Sequence, residues 1–292
     1  MTVFSRFAAR AVTVGAMLVG GGLIGALTGA GPALAEMGQP APWQLGLQPA
    51  ATPVMVDIVW FHDLLLWIIS AITLFVLVLL GIIVVRFNAR ANPTPSRTTH
   101  NTPIEVLWTI LPVIILVVIA VPSFRLLFLE LDEPKADLTV KATGKQWYWS
   151  YSYPDNGNFE FDSLLVADGD LKPGQPRLLT VDNELVVPVN KVVHVLVTGA
   201  DVIHSFAVPS FGIKIDAVPG RLNDTWFKAT QVGRYHGQCS ELCGKDHAFM
   251  PITVNVVSDT DFSVWVEAAK KKFAGDEHPL PTSFAAADGP AH

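Results

Sequence analysis

The 292 residues include only two cysteines, Cys239 and Cys243, four positions apart. A disulfide-dense secreted scaffold is therefore excluded, and the pair points to local chemistry in one loop. Charge is also scarce, at 16% of residues against about 25% in ordinary soluble domains. Nor is there an excess of positive charge: Lys+Arg is 20 and Asp+Glu 26, giving a net charge of -6 and a pI near 5.7, which argues against binding nucleic acid through a basic surface. No Cys-x-x-Cys-His haem-attachment motif occurs. What the chain has in quantity is apolar side chains, 50% of the total, which excludes low-complexity disorder and places part of the molecule outside water.

Three apolar stretches account for that excess. Residues 1–35 carry Arg6 and Arg10, an uncharged run through Leu27, and Ala33-Leu34-Ala35, the layout of a secretory signal cleaved after Ala35. An uncleaved anchor helix is the competing reading, weakened by Gly20, Gly21, Gly22 and Gly25. Leu64 to Val85 and Val106 to Phe124 are uncharged runs long enough to cross a hydrocarbon core of about 30 Å, with Trp60, Trp67 and Trp108 near their ends. Arg86, Arg90 and Arg97 lie between the runs, whereas residues 36–61 contain no Lys or Arg, so the hairpin loop is expected in the cytoplasm. The expected division is a signal peptide at 1–35, a periplasmic segment at 36–61, spans at 62–87 and 103–125 joined by a cytoplasmic loop at 88–102, a periplasmic domain at 126–274 and a disordered tail at 275–292. Such a protein resides in the bacterial inner membrane. Residues 126–292 hold 14 Lys+Arg against 22 Asp+Glu, a net of -8, suited either to plain solubility or to docking a basic partner.

The outer domain reads as all-β. Apolar or alternating runs at Leu138–Ala142, Trp147–Tyr153, Leu178–Val181, Val192–Val197, Thr225–Ala229 and Ile252–Val257 are separated by turn signals such as Pro154-Asp155-Asn156-Gly157 and Val218-Pro219-Gly220. That spacing predicts a sandwich or barrel. One helix is expected from about Phe262 to Phe273 behind Asp261, with Phe262, Trp265, Val266, Ala269 and Phe273 on one face.

The most informative segment runs from Gly237 to Pro251 and places Cys239, Cys243, His247 and Met250 within twelve residues. Two thiols, an imidazole and a thioether form a soft donor set that favours copper over Mg²⁺ or Ca²⁺, and Met argues against structural zinc. His204, at the edge of an expected strand, is the best remaining imidazole, and a backbone carbonyl between the cysteines would supply a weak ligand. A Cys239–Cys243 disulfide competes with this reading. His62, His194 and His236 read as structural.

These residues carry a resemblance. The chain is similar over residues 43–273 to subunit II of haem-copper cytochrome c oxidases, in His100-Asn101-Thr102-Pro103-Ile104-Glu105-Val106-Leu107-Trp108-Thr109, in Gln146-Trp147-Tyr148-Trp149-Ser150-Tyr151, in the segment around His204, in Asp216-Ala217-Val218-Pro219-Gly220-Arg221 and in the Gly237–Pro251 loop. The resemblance implies a two-helix transmembrane hairpin followed by an all-β, cupredoxin-like Greek-key sandwich or barrel. It implies a binuclear copper centre (CuA) bridged by Cys239 and Cys243, with His204 and His247 terminal, Met250 axial and the Glu241 carbonyl as a weak ligand. The Glu241 carboxylate is implied to reach a Mg²⁺ shared with subunit I. Trp147 matches the tryptophan that takes electrons from cytochrome c, and Asp162, Asp182, Asp201 and Asp216 fall at acidic docking positions, although Ser152 and Ala200 stand where relatives often carry Glu. Glu105, an ionisable group at the end of a membrane span, looks like the mouth of the K proton pathway; a snorkelling interfacial carboxylate is its structural alternative. The implied partners are subunits I and III, cytochrome c and membrane lipid, and the implied activity is cytochrome c oxidation coupled to oxygen reduction and proton pumping. A membrane-tethered copper chaperone is the rival reading.

Overall fold

A computed structural model describes residues 38–273; the signal-sequence and tail readings lie outside the described residues. Two long helices come first. Helix α1 spans Pro53–Arg86, and Thr52 caps it by accepting the Met55 N–H while donating its own hydroxyl to the Phe211 carbonyl at 2.7 Å. The cap therefore also ties the helix start to the β domain. Helix α2 spans Thr102–Leu131; Asn101 accepts the Ile104 N–H, and the Glu105 carboxylate returns to the Asn101 N–H at 3.1 Å, a reciprocal arrangement that satisfies two end donors. At 34 residues, α1 is about 51 Å long, well beyond an apolar core of about 30 Å, so the helix ends are not the edges of the apolar run. Apolar side chains are exposed all round both helices, a pattern that suits lipid. Both are long and apolar enough to cross a membrane.

Ten strands follow: β1 Leu138–Lys145, β2 Tyr148–Tyr153, β3 Phe159–Ser163, β4 Leu185–Pro188, β5 Val193–Gly199, β6 His204–Val208, β7 Ile213–Ala217, β8 Asn223–Phe227, β9 Gly233–Gln238 and β10 Pro251–Val257. They form a sheet ordered β3-β2-β1-β5-β8, a second ordered β4-β10-β9, and the β6-β7 ribbon. Alternation fixes the inner faces, as in β5, where Val193, Val195 and Val197 point into the core. The core lies between the sheets, with Trp149, Tyr151, Phe206, Tyr235 and Ile252 fully buried.

Among the elements far from the cysteine loop, two sequence expectations need correction. Leu178–Val181 is not a strand: Leu178 has φ 64°, and only Val181 makes an isolated bridge, to Leu165. The last helix, α3, runs Asp259–Phe273 and is capped by Ser258, whose Oγ accepts the Asp261 N–H and donates to the Asp261 carboxylate. Asp261 is thus the capped residue, not the cap. Its apolar face packs as expected, with Val266 and Ala269 buried and Trp265 5.1 Å from Tyr153 between ring centroids.

Candidate metal centre

Cys239 follows β9 directly, and Met250 immediately precedes β10. The Pro251–Gln238 strand pairing and a Cys239 N–H to Met250 carbonyl bond at 3.2 Å close the intervening loop at its base. The Ser240 N–H donates to the Ser205 carbonyl at 3.0 Å, holding the loop against β6, whose first residue is His204. The strands thus bring a histidine 35 residues upstream into the loop.

The donors converge there. Cys239 Sγ lies 3.8 Å from Cys243 Sγ, 3.9 Å from His204 Nδ1 and 3.3 Å from the Glu241 carbonyl oxygen. Cys243 Sγ lies 3.6 Å from His247 Nδ1 and 3.5 Å from Met250 Sδ. Both thiols are free, so the disulfide reading does not apply to this structure. His204, Cys239, Cys243 and Met250 are buried, His247 is partly exposed, and the Glu241 side chain is exposed. Two thiolates 3.8 Å apart can share a metal at bond lengths of about 2.3 Å, and the soft donor set suits copper.

Electrostatics point the same way. Burial raises the Cys239 thiol, but hydrogen bonds from His204, from nearby backbone N–H groups and from His247 outweigh it and bring it down to about 6. Burial and the Cys239 charge push Cys243 up to about 12. The pair holds one negative charge readily and a second only with a cation between the sulfurs. Burial opposes protonation of His204, yet Cys239 and Asp201 together raise its pKa.

Several supporting residues were not found by the motif. Asp201 accepts His204 Nε2–H at 2.8 Å and the Gln146 N–H at 2.7 Å, orienting the imidazole so that Nδ1 faces Cys239. Burial acts to raise the Asp201 pKa, and these bonds, with the Val202 N–H, hold it down. Asp201 therefore belongs to the centre as well as to the acidic surface; the Asp-x-x-His spacing was the available signal. Gly144 leaves room for His204: a Cβ there would stand 2.8 Å from the ring.

Trp147 was expected in a strand but sits in the two-residue turn between β1 and β2, partly exposed, whereas Trp149 is buried against His204 and Phe206. Trp147 Nε1–H donates to the Cys243 carbonyl at 3.2 Å, and Gln146 Nε2–H reaches the same oxygen at 2.8 Å. Asp162, Asp182 and Asp216 are exposed and distinct in their bonding. Asp162 accepts the Ser150 hydroxyl and lies 3.5 Å from Lys145 Nζ; Asp182 accepts the Leu164 and Asn183 N–H groups; the Asp216 carboxylate makes no hydrogen bond among the described residues. Glu105 lies at the start of α2, far along the chain from the centre, in the capping role described above. His236 is buried against the Leu179 carbonyl and the Thr253 hydroxyl, a structural setting whose burial lowers its pKa.

Comparison with known proteins adds a family. Residues 138–257 match the model for the periplasmic domain of cytochrome c oxidase subunit II, and residues 40–126 match that for its transmembrane domain. A probable cytochrome c oxidase subunit 2 from Rickettsia bellii is 55% identical over 240 residues, covering 82% of this chain and 89% of the relative. A cytochrome c oxidase subunit 2 from Cereibacter sphaeroides is 48% identical over 252 residues, covering 80% of this chain and 83% of the relative. Among solved structures, the periplasmic domain of subunit II of cytochrome oxidase from Bradyrhizobium japonicum is 73% identical, covering 48% of this chain and 98% of that domain with a TM-score of 0.46.

Proposed function

The chain belongs to the family of cytochrome c oxidase subunit II, and on that premise we propose that it is the electron-accepting subunit of a haem-copper oxidase. In this reading it takes electrons from cytochrome c and passes them to haem in subunit I, where oxygen is reduced to water and protons are pumped. The single observation that carries the copper assignment is the convergence of His204, Cys239, Cys243, His247, Met250 and the Glu241 carbonyl around one sulfur pair. These residues would hold a binuclear copper centre, which would supply a one-electron couple.

The chain's own residues do the positioning. Asp201 holds the His204 imidazole by its Nε2–H, and Trp149 packs edge-on against the ring at 6.1 Å, so the ligand cannot swing. Burial of both thiols and of Met250 keeps water from the donors. The Trp147 indole is one hydrogen bond from the Cys243 backbone and is partly exposed, which supports a role as the electron-receiving surface group. Asp162, Asp182, Asp201 and Asp216 supply negative charge for a basic cytochrome c. Glu241 turns its carbonyl toward Cys239 and leaves its carboxylate exposed, which suits a Mg²⁺ shared with subunit I. Glu105 stands at the end of a membrane-spanning helix, in keeping with a place at the mouth of a proton pathway. Arg86, Arg90 and Arg97 support a cytoplasmic hairpin loop, with the β domain in the periplasm of a bacterial inner membrane and subunits I and III as neighbours in the lipid.

The test is copper counting and electron paramagnetic resonance on the purified full-length chain in detergent. Two coppers per chain with hyperfine structure from both nuclei are expected. A single, readily removed copper would favour a chaperone instead.

A further inference from the structure

A second group of metal-ligating side chains lies on the outer face of the β3-β2-β1-β5-β8 sheet, where the chain leaves α2. His194 and Asp224 are diagonal neighbours on β5 and β8, since His194 pairs with Trp226 and Leu196 with Asp224. Trp226 Nε1–H donates to the Glu130 carbonyl in the last turn of α2, so the helix end lies against this face. Glu133, just past the helix, completes the group: one ligand atom from each of Glu133, His194 and Asp224 lies within 4.8 Å of the others.

The hydrogen bonding makes this group unlike an ordinary ion pair. His194 Nε2 lies 2.7 Å from the Pro134 carbonyl, which can only accept, so Nε2 carries the proton. In the neutral ring, Nδ1 is then a bare lone pair, and it faces Asp224 Oδ2 at 3.7 Å. Asp224 Oδ1 is buried, and no N–H or O–H reaches it while both carboxyls are ionised. Partial desolvation, the charge of the facing Asp224 carboxylate and a hydrogen bond to it raise the Glu133 pKa, while His194 acts the other way. No Lys or Arg forms an ion pair with either carboxylate among the described residues. With both carboxyls ionised, three acceptors therefore converge on one point without a donor of their own.

We propose that Glu133, His194 and Asp224 form a second metal site, separate from the copper loop, that binds a divalent ion of the zinc class and fastens the α2 exit to the sheet. Imidazole nitrogen and carboxylate oxygen are both donors that zinc accepts, three protein ligands leave a fourth position for water, and the carbonyl on the other ring nitrogen is the outer support such a histidine needs. The imidazole argues against Mg²⁺ or Ca²⁺. Tetrahedral ligands at about 2.0–2.2 Å stand roughly 3.4 Å apart, close to the observed Nδ1–Oδ2 spacing, and the exposed Glu133 side chain can close the remainder.

Zn²⁺ titration of the full-length, copper-treated chain in detergent tests this, with retained zinc counted per chain and zinc X-ray absorption reading its ligands. Sulfur ligands would mark zinc in the Cys239–Cys243 loop, so failure of the copper assignment stays distinguishable from failure here. The expected result is one zinc bound by nitrogen and oxygen only, with affinity falling about tenfold or more in both His194→Gln and Glu133→Gln. Glu133 lies outside every strand, so E133Q decides the matter if H194Q does not fold. No zinc retained on nitrogen and oxygen ligands, or equal affinity in E133Q, would overturn the site and leave a proton as the cation these groups share.

Discussion

Gly144 shows how one missing side chain shapes the candidate metal centre. It pairs with Trp149 on one side and Gly199 on the other, and its empty Cβ position lies 2.8–3.0 Å from three atoms of His204. Gly144→Ala should therefore push the imidazole off Cys239, costing about 1–3 kcal/mol as an overpacked core and lowering copper bound per chain. Copper analysis beside urea unfolding checks this, and full copper retention would show that the ring can yield. The residues proposed to donate to a metal stand out in the sequence because their chemistry is intrinsic to their type: thiol, imidazole and thioether in one short segment. The aiming roles of Gln146 and Gly144 were not legible, because they act only through distances that the folded strands create, and for Asp201 the Asp-x-x-His spacing was the sole signal. Trp147 lies between these cases: its type was plain, but its exposure depends on the β1–β2 turn falling at Gln146-Trp147.

Elements differed in legibility for a similar reason. The long helices announce themselves through uncharged runs, and β1, β5 and β10 through β-branched residues. Strand β6 begins at His204, where a strand was expected, whereas β9 contains Gly233, Arg234, His236 and Gly237, and strand pairing overrides weak local preference there. Leu178–Val181 fails in the other direction, since Val181 is buried and Leu178 and Leu179 are partly buried without a ladder partner beyond the single Val181 bridge. Helix α3 was legible by its apolar face, yet its start was set by a hydroxyl one residue before it. Ser258→Ala removes both the acceptor of the Asp261 N–H and the donor to its carboxylate, and should cost about 1 kcal/mol. Urea unfolding of the full chain followed by tryptophan fluorescence would read that loss, because Trp265 packs on Tyr153 and Phe159. An unchanged midpoint would mean that the aromatic face alone holds the helix.

At the scale of the whole molecule, charge and apolar surface are segregated. Residues 126–292 carry 22 acidic against 14 basic groups, whereas Leu64 to Val85 and Val106 to Phe124 carry none. A membrane protein so built presents a negative domain to one aqueous side, and attraction for the proposed basic electron donor would be summed over many groups. One carboxylate about 10 Å from a partner charge in water contributes only about 0.4 kcal/mol, roughly a factor of two. Asp216→Asn, which removes a carboxylate with no hydrogen bond among the described residues, should therefore slow electron uptake from a basic cytochrome c only about twofold. Raising ionic strength to about 0.2 M shortens the screening length below 10 Å and acts on all the acids together, so it should slow association about tenfold or more. Stopped-flow oxidation of ferrocytochrome c by the copper-loaded chain across a salt series measures both. A rate insensitive to salt would mean that docking relies on apolar contact around Trp147, and the acidic excess would then serve solubility alone.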